Sequence, residues 1–185
     1  ADELGVELVI ETVGSISEIV PKLLSGDAHM AAAGLSITDA RQEFLHFGHP
    51  YEFVDVHMIY RLGDGKPRSV EDILDRSIEV AAGSSHVEIL ESLQSVYPEL
   101  AWTENADLEF AELLTKVAMD EVDLTVADSS DFAIQRHFYP DLRIALDLAI
   151  GDPIAWAFPK GTADSLLTRA DNFMIRADRA GSLAL

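Results

Sequence analysis

The sequence predicts an α/β chain folded as two lobes, and three observations carry that prediction. Short runs rich in branched residues alternate with amphipathic stretches of helical period along the whole chain. The alternation restarts after Gly63-Asp64-Gly65-Lys66-Pro67, the strongest turn punctuation present. Small or polar residues (Gly34 to Ser36, Gly83 to Ser85, Asp128) come directly after apolar runs, at strand ends of the kind where open α/β sheets hold ligands.

Ala1-Asp2-Glu3-Leu4-Gly5 reads as the tail of a helix stopped by glycine, which places the start of that helix upstream. Residues 6–13, VELVIETV, read as a strand. Ser15 and Glu18 have capping-box spacing, and Ile16, Ile19, Val20, Leu23 and Leu24 then share a helical face that ends at Gly26. Pro21 falls near the first turn, where it is tolerated. A buried strand 29–33 leads to a Gly34-Leu35-Ser36 turn. Thr38 caps a short helix through Phe44, and a long strand covers 53–60.

Past residue 66 the pattern predicts helix 70–75, strand 78–82 and helix 86–97, with Ser85 and Glu88 again at capping-box spacing. Strand 101–104, helix 108–119 and strand 122–127 come next, then a helix to about 138 and a strand 142–148. Strand 154–158, a Pro159-Lys160-Gly161 turn and a helix from about 164 to 178 complete the chain. Alternation of this kind predicts parallel sheets. The expected organisation is one lobe from 1–61 plus 149–185 and a second from 66–148, with 53–60 and 142–148 as crossing segments.

Composition narrows the function. With 33 acidic against 13 basic residues the net charge is −20, a field that repels nucleic acid and anionic membranes. Nucleic acid is therefore set aside as a partner. There are no cysteines, so neither disulfides nor thiolate chemistry is available. Mean hydropathy is +0.11, yet no apolar run reaches the roughly 18 residues of a membrane span. His46, His49 and His57 invite a metal reading, but Gly48 and Pro50 break any helix that would align the first two, so no metal site is expected. Neither a Gly-x-Ser-x-Gly elbow nor a phosphate-binding loop is present.

AAAGLSITDARQEFLHFGHPY, residues 31–51, resembles the signature of the family-3 extracellular solute-binding proteins: a small-residue turn, Ile37-Thr38, Arg41, then Phe47 and Pro50-Tyr51. Gly83-Ser84-Ser85, VDLTVADS at 122–129 and IAWAFPKG at 154–161 resemble further segments of it in the same order. The Ala32-Ala33-Gly34-Leu35-Ser36 turn, VAAGSSHVEIL at 80–90 and VADSS at 126–130 are similar to the regulatory domain of the membrane-bound lytic transglycosylase F group, and RAGSLAL at 179–185 resembles the helix that closes it.

The resemblance implies a type II periplasmic-binding-protein-like fold whose first strand would lie upstream of residue 1. It implies a small amino-acid- or peptide-like ligand between the lobes, muropeptides included. No cofactor and no catalytic residue are implied within these residues. The partner implied is a C-terminal catalytic domain of the same polypeptide, in a periplasmic protein attached to the outer membrane. Glu91-Ser92 copies the Glu-Ser pair of a transglycosylase active site, but the family's surrounding Gly-Leu-Met-Gln segment is missing, so Glu91 is expected on a solvent face. Two other readings share the scaffold: an amino-acid-binding protein of a membrane transporter, and an enzyme like the periplasmic cyclohexadienyl dehydratases.

By spacing alone, Arg41 fits either a surface ion pair with Asp39 or Glu43 or a ligand contact; the resemblance implies that its planar fork holds the ligand carboxylate. Ser84 and Ser85 stand at a helix start, where backbone N–H groups favour anions, while Ser85 also suits ordinary capping. Asp128 reads as either a helix N-cap or, by resemblance, the acceptor of the ligand's ammonium. Ser36 and Gly34 are implied contacts from the first lobe, and Tyr51 is either core or lining.

Overall fold

A computed structural model describes residues 5–183, which group into two compact units. One takes the chain up to Gly14, Glu18–Phe53 and the chain from Pro153; the other takes Ser15–Ser17 and Val54–Asp152. The proposed helix tail at residues 1–4 lies outside the described residues.

A 3-10 turn, Ile16–Glu18, precedes α1 of the first unit, Ile19–Ser25, which Gly26 ends at φ 85°. Ile19 and Leu23 form its buried face. Strand β1, Ala31–Ser36, pairs antiparallel with the end of β7, Leu142–Pro159, and β2, Leu45–Phe47, does the same. Between them lies α2, Asp39–Gln42. The last helix is α6, Asp164–Arg179, where Phe173 stacks on Trp156 of β7 with ring centroids 6.1 Å apart.

In the second unit, β3, Glu52–Arg61, lies between β7 and β6, Leu124–Asp128, and is antiparallel to β6. Strand β4, Glu79–Ala81, pairs parallel with β5, Thr103–Asn105, and a parallel bridge joins Ile78 to Leu124. Three helices complete the unit: α3, Ser85–Gln94; α4, Phe110–Ala118; and α5, Ser129–Gln135. Val56, Met58, Val80, Leu90 and Leu124 centre one core. Ile59, Leu114, Val117 and Phe132 centre another on the opposite face of β3. Residues 58 and 59 point to opposite faces because strand side chains alternate, so a strand buried on both sides needs an unbroken apolar run.

Several expectations are corrected. Residues 6–13 form no strand, and Val6, Leu8, Val9 and Ile10 are exposed. Branched composition supplies the propensity, but a strand exists only when a neighbour takes up its hydrogen bonds. The runs 142–148 and 154–158 are one continuous strand, β7, because Gly151 and Pro153 sit inside it without ending it. Three of the registered strand pairs are antiparallel rather than parallel. Alternation governs local order, whereas strand direction depends on which distant strand lies alongside. Helix 70–75 is a 3-10 turn, Val70–Ile73, and β2 escaped notice because three residues carry no period.

A reciprocal clasp fixes the Ile78–Leu124 bridge. The Ser77 backbone N–H and hydroxyl both donate to Asp123 Oδ2, at 2.8 and 2.6 Å, and the Asp123 N–H donates to the Ser77 hydroxyl at 2.9 Å. These bonds hold the Asp123 carboxyl below its ordinary value, the side-chain bond contributing most. Glu79 is also lowered: burial pushes it up, but bonds from Lys116 and Asn105 outweigh that. A group lowered in the folded state stabilises above its unfolded pKa and loses that contribution as pH falls through the folded value. Asp123→Asn should therefore cost about 0.5–1.5 kcal/mol at neutral pH, a modest figure because the site is partly solvated. In urea unfolding, the gap to wild type should narrow as pH falls below about 4. A gap independent of pH would remove Asp123 from the acid sensitivity of this unit.

Candidate functional site

Each unit presents a polar cluster on the rim of its sheet. In the first unit, β1 supplies the platform. Gly34 adopts φ 65° inside this strand, not in a turn as the sequence suggested, and the register with β7 shifts between Ala31 and Leu35. A glycine takes that left-handed conformation without the Cβ penalty, and it sits where β1 runs from Ala31 to Leu35 while β7 runs only from Ala157 to Ala155. The Gly34 N–H bonds the Tyr51 hydroxyl; burial pushes the Tyr51 phenol up, and that bond offsets part of the rise. Tyr51 thus enters as a neutral hydroxyl tied to the bulge.

Ser36, buried at the end of β1, turns its carbonyl to the Arg41 guanidinium, with Nη1 donating at 3.0 Å. Thr38 caps α2 by accepting from the Arg41 N–H at 3.2 Å. The cap sets where the helix begins and so where Arg41 projects. Arg41 is only 4% exposed, so it is not the solvated surface arginine that spacing alone allowed. The structure therefore brings Gly34, Tyr51, Ser36 and Arg41 together along β1 and α2.

In the second unit, the start of α3 meets the end of β6. Ser84 is the N-cap residue of α3 and Ser85 its first helical residue, so the helix starts one place earlier than the capping-box reading had it. The Ser84 hydroxyl donates to the Ala81 carbonyl at 2.7 Å, so it does not close the helix start. Gly83, at φ 72°, lies against Ser17; a Cβ there would approach the Ser17 Cα at 3.2 Å. Asp128 occupies the N-cap position of α5 but makes no capping bond. Its Oδ1 accepts from His86 Nε2 at 2.9 Å. The ring of His86, 1% exposed, is flanked by Phe110 with centroids 5.0 Å apart.

Sequence reasoning missed His86. Its signal was weak: a histidine in the first turn of a helix whose N-terminus comes after a strand end, with an aspartate ending another strand. Only the adjacency of β4 and β6 brings the two together. The other histidines are scattered: His46 is exposed, His49 bonds Asp171 through its N–H, and His57 pairs with Asp147 at 2.8 Å. Glu91 lies on the exposed face of α3.

The family model of bacterial extracellular solute-binding proteins, family 3, matches residues 1–184. The chain belongs to this family. Among curated relatives, membrane-bound lytic murein transglycosylase F of Saccharophagus degradans is 34% identical over 183 residues, 99% of this chain and 36% of that protein. Its counterpart in Ectopseudomonas mendocina is 39% identical over 184 residues, 99% of this chain and 38% of that protein. The solute-binding chain thus spans less than two fifths of the length of either relative. An ancestral arginine-binding protein bound to arginine superposes with a TM-score of 0.86 at 22% identity, covering 98% of this chain and 79% of that one. The fold is accordingly the type II fold of periplasmic amino-acid-binding proteins. No helix among the described residues is long and apolar enough to cross a membrane.

Proposed function

We propose that this family-3 domain is the ligand sensor of a peptidoglycan lytic transglycosylase, and that it holds an amino-acid- or muropeptide-like zwitterion. One observation supports the reading: a buried arginine in one unit and a histidine-held aspartate in the other supply the two charges that a zwitterion calls for. Arg41, buried and oriented by the Ser36 carbonyl, offers a fork to a carboxylate. Asp128, held by His86 beside the start of α3, offers an anion to an ammonium. Ser85 at the start of α3 adds a donor to the carboxylate, Ser84 fixes that start with its hydroxyl on the Ala81 carbonyl, and Gly34, Ser36 and Tyr51 line the first-unit side. The segments 53–60 and 142–148 serve as the crossing strands between lobes 1–61 plus 149–185 and 66–148. Ligand binding acts on a catalytic domain of the same polypeptide only to the extent that affinity differs between two states. The relatives' names support an envelope location, and attachment of the parent protein to the outer membrane belongs to this reading.

A second reading, an amino-acid-binding protein of a transporter, is favoured by the fold shared with the arginine-binding protein. Calorimetry of the chain with the common L-amino acids and with L-alanyl-γ-D-glutamate, the start of a peptidoglycan stem, separates the two. Binding of the dipeptide is the expected result. Tight binding of one free amino acid alone would select the transporter reading, and no heat with any of them would overturn both.

A further inference from the structure

The His86–Asp128 pair joins two elements far apart in sequence, and it is built differently at its two ends. Asp128, an ionised carboxylate, can only accept, so the bond of 2.9 Å requires a hydrogen on His86 Nε2. The other ring nitrogen, Nδ1, is buried with no hydrogen-bond partner among the described residues. Adding a proton there creates a buried N–H donor with nothing to receive it. The aspartate end is more open: the side chain of Asp128 is 14% exposed, against 1% for His86, and His86 takes its Oδ1.

We propose that His86 is the positioning residue of the ligand site in the second unit: its Nε2–H holds one oxygen of Asp128 so that the other meets the ligand's ammonium, and its protonation state sets the charge that ammonium meets. The inference rests on the zwitterion reading above and adds a regulation to it. With neutral His86 the pair carries one negative charge and attracts a cation. With imidazolium the pair is neutral, and the new positive charge repels an incoming ammonium. An ammonium ligand therefore favours the neutral ring, and wherever the ring carries a second proton, binding releases that proton from His86 to the buffer.

The charged groups on the elements around the ring do not supply the same switch. Glu88 lies on α3 itself, Glu109 and Glu112 form the capping box of α4 beside Phe110, and Asp131 lies in the first turn of α5. Glu79 of β4 is paired with Lys116. Among these side-chain types only histidine ordinarily changes charge between about pH 5 and 8. The nearest-numbered other histidines are engaged elsewhere, His57 with Asp147 and His49 with Asp178.

The test is calorimetry of wild type and His86→Gln between about pH 7.5 and pH 5.5, the span over which an imidazole ordinarily titrates. The titrants are L-alanyl-γ-D-glutamate and L-glutamine, each beside its N-acetylated form, which lacks the ammonium. Glutamine places an N–H donor near the position of Nε2 but takes up no proton in this range. For wild type the expected result is an affinity that falls about three- to tenfold over the span, with a binding heat that depends on the ionisation heat of the buffer. His86→Gln should bind with a nearly flat profile, and any affinity for the N-acetylated titrants should not vary with pH. Identical profiles for wild type and variant, with binding intact, would overturn the role of His86 while leaving Asp128 as the ammonium acceptor. No binding by wild type at any pH would overturn both. Should the variant fail to fold, the imidazole resonances of wild type give the same answer: saturating titrant must move the His86 titration midpoint to lower pH, and an unmoved midpoint rejects the proposal.

Discussion

Arg41→Ala is expected to weaken binding of a carboxylate ligand by about 10²–10³-fold, the loss typical when one partner of a buried charge-assisted pair is truncated. The side chain is buried, its guanidinium is held by the Ser36 carbonyl, and its position is set by the Thr38 cap. Its removal takes away the only group in the first-unit cluster of Gly34, Ser36, Arg41 and Tyr51 that carries a full positive charge. It also strips the Ser36 carbonyl of a donor, so a loss of stability of about 1–3 kcal/mol accompanies it. Arg41→Lys separates the two effects. Lysine keeps the charge but lacks the planar fork, and should recover stability more fully than affinity. Calorimetry and thermal melts on the three proteins make the comparison. An alanine variant that binds as wild type, at a temperature where it is folded, would remove Arg41 from the ligand site.

Leu124→Ala is expected to cost about 2–5 kcal/mol, because a buried leucine loses its transfer energy and leaves a cavity that the core only partly refills. Leu124 is fully buried on β6 in the larger core of the second unit. It lies opposite Tyr60 of β3 in antiparallel register and next to Ile78 across the parallel bridge, so it packs between two strand pairings. Typical domains have about 5–15 kcal/mol in total, so this one change removes a large share. The melting temperature should fall by roughly 5–15 °C. Leu8→Ala is the matched control: that side chain is 65% exposed in the segment that forms no strand, and its truncation should stay within about 0.5 kcal/mol. Equal effects from the two variants would mean that the core assignment of Leu124 is wrong.

The contrast between Leu8 and Leu124 shows what pattern reading reaches. Both sit in runs that read as strand. In 122–127 the apolar run is succeeded by Asp128 and then a helix, and the structure gives it partners on both sides. In 6–13 the propensity is as strong, yet the described residues offer no neighbouring strand. Propensity belongs to a segment, but pairing belongs to two segments and is decided by the tertiary fold. The short strand β2 and the continuity of β7 through Gly151 and Pro153 were hidden for the same reason.

The site divides in the same manner. Arg41 became a candidate through the family resemblance, since spacing alone left it ambiguous; the Thr38 cap that positions it was legible locally, because capping geometry extends over only three residues. The position of Ser84 and Ser85 at a helix start was legible to within one residue, the ordinary limit on element boundaries. Asp128 was visible as the end of a strand, but its partner was not. What the amino-acid sequence determined alone is the helices α3 to α6, the capping residue that positions Arg41, the acidic composition and the family, since each depends on neighbours in the chain or on overall composition. Only the tertiary structure decided the strand directions, the bulge at Gly34 that meets Tyr51, and the bond from His86 to Asp128 across 42 residues, because each is formed by groups that the chain separates and packing alone brings together.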